Sequence, residues 1–157
     1  MAEPFPVTLR SAAAADRETI VALVRGAHLN PFDLRWPNFL VAEQAGRIAG
    51  VVQVRPLKGG VRELASLAVV EELRGTGVGS TLVRAVLARE PGVLYLFCRS
   101  ELTGFYERFG FTELSGSLPR ALAGRHRVAG AMSRLARLFG GGDLRVAVMR
   151  REPGAPG

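Results

Sequence analysis

Apolar positions recur along this chain in two rhythms. Over 16–27 they return every three to four residues, with Ile20, Leu23 and Val24 on one stripe, and that spacing predicts a helix. Val78, Leu82, Val83, Val86 and Leu87 repeat the spacing and predict a second. Elsewhere the runs are short and alternating or continuous, and 7–10, 38–44, 48–57, 61–70 and 93–99 read as strands. Ala45-Gly46-Arg47 joins two of them as a short hairpin. Alternation over 61–70 puts Glu63, Ala65, Leu67 and Val69 on one face and Leu64, Ser66, Ala68 and Val70 on the other. The unbroken apolar run at 93–99 predicts burial on both faces, as in a central parallel strand. Ser100 then starts a short helix over 101–109, stopped at Gly110 and closed by Phe111.

Two stretches break the pattern. Asn30-Pro31-Phe32-Asp33 interrupts it after the first helix. From 115 to 142 the chain carries an arginine-rich insertion, in which Pro119 opens a helix with Val128, Met132, Leu135 and Phe139 on one face. Arg120, Arg127, Arg134 and Arg137 surround much of the rest, and Gly124 and Gly130 weaken the helix enough to divide it into two pieces. After Gly140-Gly141-Gly142 a last strand is expected over 144–149, and 153–157 reads as a disordered tail.

The densest chemical signal lies where the strand at 61–70 gives way to the second helix, through Arg74-Gly75-Thr76-Gly77-Val78-Gly79-Ser80. Alternate glycines let the backbone turn tightly with its N–H groups converging, and the helix dipole behind them adds attraction for an anion. A P-loop would need a Lys followed by Ser or Thr, which Gly79-Ser80-Thr81 does not supply. The dinucleotide fingerprint fails as well, because the glycines fall at G-x-G-x-G and no acidic residue ends a strand about 20 residues on.

What fits is Arg or Gln, any, any, Gly, any, Gly or Ala, filled by Arg74, Gly77 and Gly79. This resembles the acetyl-CoA pyrophosphate loop of the GNAT superfamily of N-acetyltransferases. Glu63-Leu64-Ala65-Ser66-Leu67-Ala68-Val69 is similar to that family's fourth strand, and Phe105-Tyr106-Glu107-Arg108-Phe109-Gly110-Phe111 to its late F-Y-x-x-x-G-F signature. The resemblance covers roughly 5–113 and the last strand. Glu71 departs from it, since many members have a proline there.

The resemblance implies a mixed, mainly antiparallel α/β sheet, splayed between its central strands to admit the cofactor, with helices on both faces. It implies transfer of an acetyl group from acetyl-CoA to an amine, without a metal. Backbone groups at Leu67, Ala68 and Val69 would hold the pantetheine arm, and Arg74, Gly75, Thr76, Gly77, Val78, Gly79 and Ser80 the pyrophosphate. Tyr106 would protonate the departing thiolate, the plain alternative being a tyrosine packed beside Phe105. Glu63 sits in the register of the glutamate general base of the histone-acetyltransferase branch, the alternative being a glutamate paired with Arg62 or Arg55. The region around Phe32, Leu34 and Trp36 would cover the acceptor site or simply pack.

A looser likeness, around Cys98-Arg99-Ser100 and Leu118-Pro119, to the acetyltransferase domain of bacterial N-acetylglutamate synthases points to a small amino acid as acceptor, with Arg99 or Arg55 meeting its carboxylate. Rival readings are a protein N-terminal or lysine acetyltransferase and a non-catalytic CoA-sensing or RNA-associated module.

Composition narrows these readings. A chain of 157 residues, 48% of them apolar, suits one domain over 1–152. Its single cysteine, Cys98, rules out an internal disulfide, and as a nucleophile it would need an activating neighbour that nothing in the sequence identifies. Neither His28 nor His126 has a partner at metal-ligand spacing. No run of about 18 apolar residues and no signal segment is present, so no membrane is expected and the cytoplasm is the expected compartment. Residues 114–151 hold eight arginines against Asp143 alone, which accounts for the whole net charge of +7. That balance fits the phosphates of CoA or a solvated face, and disfavours a polyamine substrate. A small-molecule amine is the expected partner, a homodimer is compatible with the reading, and nucleic acid is disfavoured.

Overall fold

The computed structural model describes residues 6–125, 127 and 145–156. The chain is a mixed α/β fold whose seven strands pair mainly antiparallel, as the resemblance implies. It comprises two compact units, residues 1–55 with 64–89, and residues 56–63 with 90–157.

In the first unit, strands β1 (Thr8–Ser11), β2 (Phe39–Gln44), β3 (Arg47–Pro56) and β4 (Arg62–Val69, from Leu64 onward) follow one another in that order. The hairpin turn is tighter than expected: Ala45 and Gly46 both adopt positive φ, 51° and 71°, and Arg47 already pairs with Gln44. Two such residues make the turn whose twist matches antiparallel strands. Helix α1 (Arg17–Gly26) buries Ile20 and Val24 against Phe39, Val41, Val51 and Ala68. Leu34 and Trp36 pack on the same core, whereas Phe32 is 67% exposed. Helix α2 (Val78–Arg89) buries Val78, Leu82, Val83 and Val86, as its stripe predicts.

Strict alternation along β4 does not hold. Ser66 has φ 55°, a left-handed conformation that costs a residue with a Cβ and breaks the two-residue repeat. Glu63 and Leu64, upstream of it, are both buried, so the strand is covered on both faces there.

In the second unit β5 (Leu94–Arg99), β7 (Val146–Arg151) and β6 (Thr112–Glu113) lie in the order β5-β7-β6, all antiparallel. The burial expected on both faces of β5 is partial: Leu94, Leu96 and Cys98 are buried, Tyr95 and Phe97 half-buried, and Arg99 exposed. A single-turn helix at Ser100–Leu102 leads into α3 (Thr103–Glu107). Gly110, at φ 82°, ends it, with its N–H donated to the Glu107 carbonyl at 3.0 Å. A side chain at Gly110 would stand 2.6 Å from the Pro156 carbonyl oxygen, because residues 153–156 turn back over this point. Arg151 ties the turn together, donating to the carbonyls of Phe109 at 2.7 Å and Ala155 at 2.6 Å.

A helix opens after Pro119, as expected, and occupies 120–125, with Leu122 fully buried. Val128, Met132, Arg134, Leu135, Phe139 and the triple glycine lie outside the described residues.

Candidate active site

The glycine loop is built upward from β3. Gly50 sits where a Cβ would lie 3.0 Å from the Ala68 carbonyl oxygen and 3.1 Å from methyl carbons of Val78 and Leu82. Its missing side chain lets the first turn of α2 rest directly on the sheet. The Val70 N–H donates to the Ala49 carbonyl at 2.9 Å, which holds the end of β4 beside the same point.

Between them the loop turns through Gly75 at φ 75° and Gly77 at φ 98°, and neither has an atom within 4 Å of where a Cβ would stand. Here glycine answers to backbone conformation, and the space where a side chain would stand is open. The Thr81 N–H and hydroxyl both donate to the Gly77 carbonyl at 3.0 Å, so Gly77 begins the helix. The N–H groups of Val78, Gly79 and Ser80 then belong to the first turn, which has no intrahelical acceptors. Thr76 braces the loop through its hydroxyl on the Leu73 carbonyl at 2.6 Å. Arg74 is exposed, and its Nε donates back to the Val69 carbonyl at 3.3 Å. Of the other backbone candidates Ala68 is buried, and Leu67 and Val69 are half-buried.

Tyr106 is buried on α3 and packed edge-on to Phe105, with ring centroids 4.9 Å apart, and to Phe111 at 5.9 Å. Burial, and secondarily the neighbouring Cys98, push its phenol well above the ordinary value of 10.0, so it holds its proton throughout the physiological range. Cys98 lies in the same unit with its thiol pushed up to about 11, first by burial and then by the charge of Glu113. Its Sγ is 3.7 Å from Met149 Sδ. This is a buried thiol without activation, in keeping with a structural role.

Glu63 is 4% exposed. Arg62 binds Glu90 through two hydrogen bonds, and Arg55 faces Asp33 and Ser66. Glu63 Oε2 lies 3.5 Å from a guanidinium nitrogen of Arg125 on the helix at 120–125. A carboxylate taken out of water needs such a counter-charge. The sequence could not show this partner, because 62 residues separate the two.

Residues 35–113 match the acetyltransferase (GNAT) domain family model. That is half of the chain, and the protein belongs to the GNAT acetyltransferase family. An uncharacterized N-acetyltransferase of Chlorobaculum tepidum is 36% identical over 80 residues, which are 49% of this chain and 51% of the relative. This chain thus matches about half the length of that curated relative.

Among solved structures, the N-acetylglutamate synthase of Neisseria gonorrhoeae complexed with coenzyme A and N-acetyl-glutamate superposes with a TM-score of 0.75 at 18% identity, covering 97% of this chain and 36% of the synthase. The Mycobacterium tuberculosis protein Rv2747, in complex with CoA, gives a TM-score of 0.68 at 21% identity and covers 92% and 98% of the two chains. These likenesses establish the fold. Among the described residues, no helix is long and apolar enough to cross a membrane.

Proposed function

We propose that the chain transfers an acetyl group from acetyl-CoA to a primary amine of a small molecule such as an amino acid. The observation that carries this reading is the left-handed turn at Gly75 and Gly77, open where their side chains would stand and leading into α2, within a family-matched segment. That turn fits a pyrophosphate, whose charge the N–H groups and helix dipole would accept without a side chain in the way. The amino-acid preference rests on the fold likeness to a synthase solved with N-acetyl-glutamate.

In this reading residues 74–80 hold the pyrophosphate, and the backbone of Leu67, Ala68 and Val69 holds the pantetheine arm. Acetyl-CoA supplies an acetyl group already activated as a thioester. Tyr106 holds its proton in a dry setting and donates it as negative charge develops on the departing thiolate, which is left as the thiol. Glu63 accepts the proton the amine must lose, directly or through water. Bringing the two substrates together contributes up to about 7–11 kcal/mol in favourable systems.

The test is an acetyl-CoA consumption assay against amino acids, amines and peptides, with Gly77→Glu as control. The variant places a side chain and a negative charge where phosphate approaches. Calorimetry is expected to show loss of acetyl-CoA binding, with the circular dichroism spectrum unchanged. Unchanged affinity in the folded variant overturns the cofactor assignment, and preferred acetylation of peptides overturns the small-molecule acceptor.

A further inference from the structure

Gln53 and Arg55 lie two residues apart on β3, hence on one face of the strand, and both are buried. A buried guanidinium is tolerated only where oxygen atoms satisfy its donors. Here they come from two directions. Toward residues 30–35, an Arg55 terminal nitrogen donates to the Phe32 carbonyl at 3.2 Å, and Nε lies 3.9 Å from an Asp33 carboxylate oxygen. Toward β4, the same terminal nitrogen is 3.4 Å from Ser66 Oγ. The Gln53 amide faces Arg55 and Ser66 Oγ, and assigned in the orientation that satisfies both of its atoms its oxygen accepts from Arg55 at 3.0 and 3.2 Å and from Ser66 Oγ at 2.9 Å.

The two segments so joined each contain a left-handed residue that is not glycine, Asp33 at φ 57° and Ser66 at φ 55°. Such conformations persist where surrounding contacts over-determine them. Asp33 also binds Arg35 at 3.1 Å, and Asn30 Oδ1 accepts the Phe32 N–H at 2.9 Å, so residues 30–35 form one hydrogen-bonded turn. The turn presents Phe32 outward. Ser66, on the other side, immediately precedes Leu67, Ala68 and Val69.

We propose that Arg55, oriented by Gln53 and Ser66, is a positioning residue that clasps residues 30–35 to the irregular point of β4 and thereby sets the affinity for the acceptor amine. This rests on the acetyl-transfer reading, with the region of Phe32 at the acceptor as the family resemblance implies. The guanidinium suits the task because its donors radiate in one plane and can serve two segments at once, whereas a lysine ammonium is a single point of charge.

Arg55→Lys and Ser66→Ala are compared with wild type and with Phe32→Ala. Trypsin cleavage after Arg35, and acrylamide quenching of Trp36, the single tryptophan, report release of the turn. Cleavage after Arg47, in the neighbouring hairpin, serves as the internal control. Acceptor KM is measured with L-glutamate, L-lysine and spermidine as probes. Both clasp variants are expected to speed cleavage at Arg35 at least tenfold with Arg47 unchanged, and to raise acceptor KM at least fivefold with acetyl-CoA affinity unchanged. Ser66→Ala carries the test if Arg55→Lys does not fold.

No selective cleavage at Arg35 overturns the clasp. Selective cleavage with unchanged acceptor KM overturns its role in acceptor affinity. Unchanged KM in Phe32→Ala overturns the placement of the turn at the acceptor. Failure of the underlying acetyl-transfer reading shows separately, as a wild type inactive toward every probe.

Discussion

Tyr106 and Cys98 are two weak acids in one unit, both held protonated, and each yields a separate measurement. Tyr106→Phe is expected to lower turnover by about 10²- to 10⁴-fold, the usual worth of a positioned acid, with acetyl-CoA affinity unchanged. Full turnover in a stopped assay would remove the phenol from the proposed chemistry. For Cys98 the consequence is a stability that depends on pH. The unfolded thiol loses its proton near 9.0, while the folded one keeps it until about 11. Stabilisation present below pH 9 is therefore lost as pH rises through 11, by roughly 2–3 kcal/mol at 1.36 kcal/mol per unit. Urea unfolding between pH 8 and 11 should show that decline, and Cys98→Ala should flatten it; Tyr106 adds a decline of the same sign at higher pH. Glu63 carries a third expectation. Arg125→Ala leaves a buried carboxylate without this counter-charge, a loss of up to about 3 kcal/mol, since Arg125 is partly exposed. Glu63→Gln in the same background should recover most of it.

At the scale of elements, the glycine loop depends on α2 lying close to β3, which Gly50 permits. Gly50→Val forces atoms into contacts already near 3.0 Å and is expected to cost about 1–3 kcal/mol, with the thermal midpoint falling by about 2–4 °C for each. Acetyl-CoA affinity should weaken in parallel, because the turn moves with the helix; unchanged affinity in a destabilised variant would separate the two. The stripes of α1 and α2 and the cap at Gly110 are legible in sequence, since each reflects spacing within a dozen residues. The irregularity at Ser66 is not. A serine in an apolar strand reads as an ordinary outward position, and only its hydrogen bonds with Gln53 and Arg55 show what it does.

For the molecule as a whole, the arginine excess invites a comparison with nucleic-acid binders. We expect titration of labelled RNA to show no submicromolar binding at 150 mM salt and no change on Arg127→Ala. Tight binding whose logarithmic salt slope approaches −0.7 to −0.9 per phosphate would instead mark an RNA-binding surface. In the described part, many arginines have partners within the chain: Arg125 lies beside Glu63, Arg145 donates to Glu113 at 3.4 Å, Arg150 pairs with Glu152 at 2.7 Å, and Arg151 braces the turn at Gly110. A net charge is a property of composition, and partners at long separation decide how much of it is available.

The sequence by itself determined the elements, the glycine loop and the family, because helical and strand periods, positive-φ turns and a short anion-binding motif are all set by residues near one another. Tertiary structure alone decided which charged groups meet. Glu63 lies beside Arg125, 62 residues on, and Arg55 spans Phe32, Asp33 and Ser66, because burial makes each charge seek whatever counter-group the folded chain brings within a few ångströms, however far along the sequence it lies.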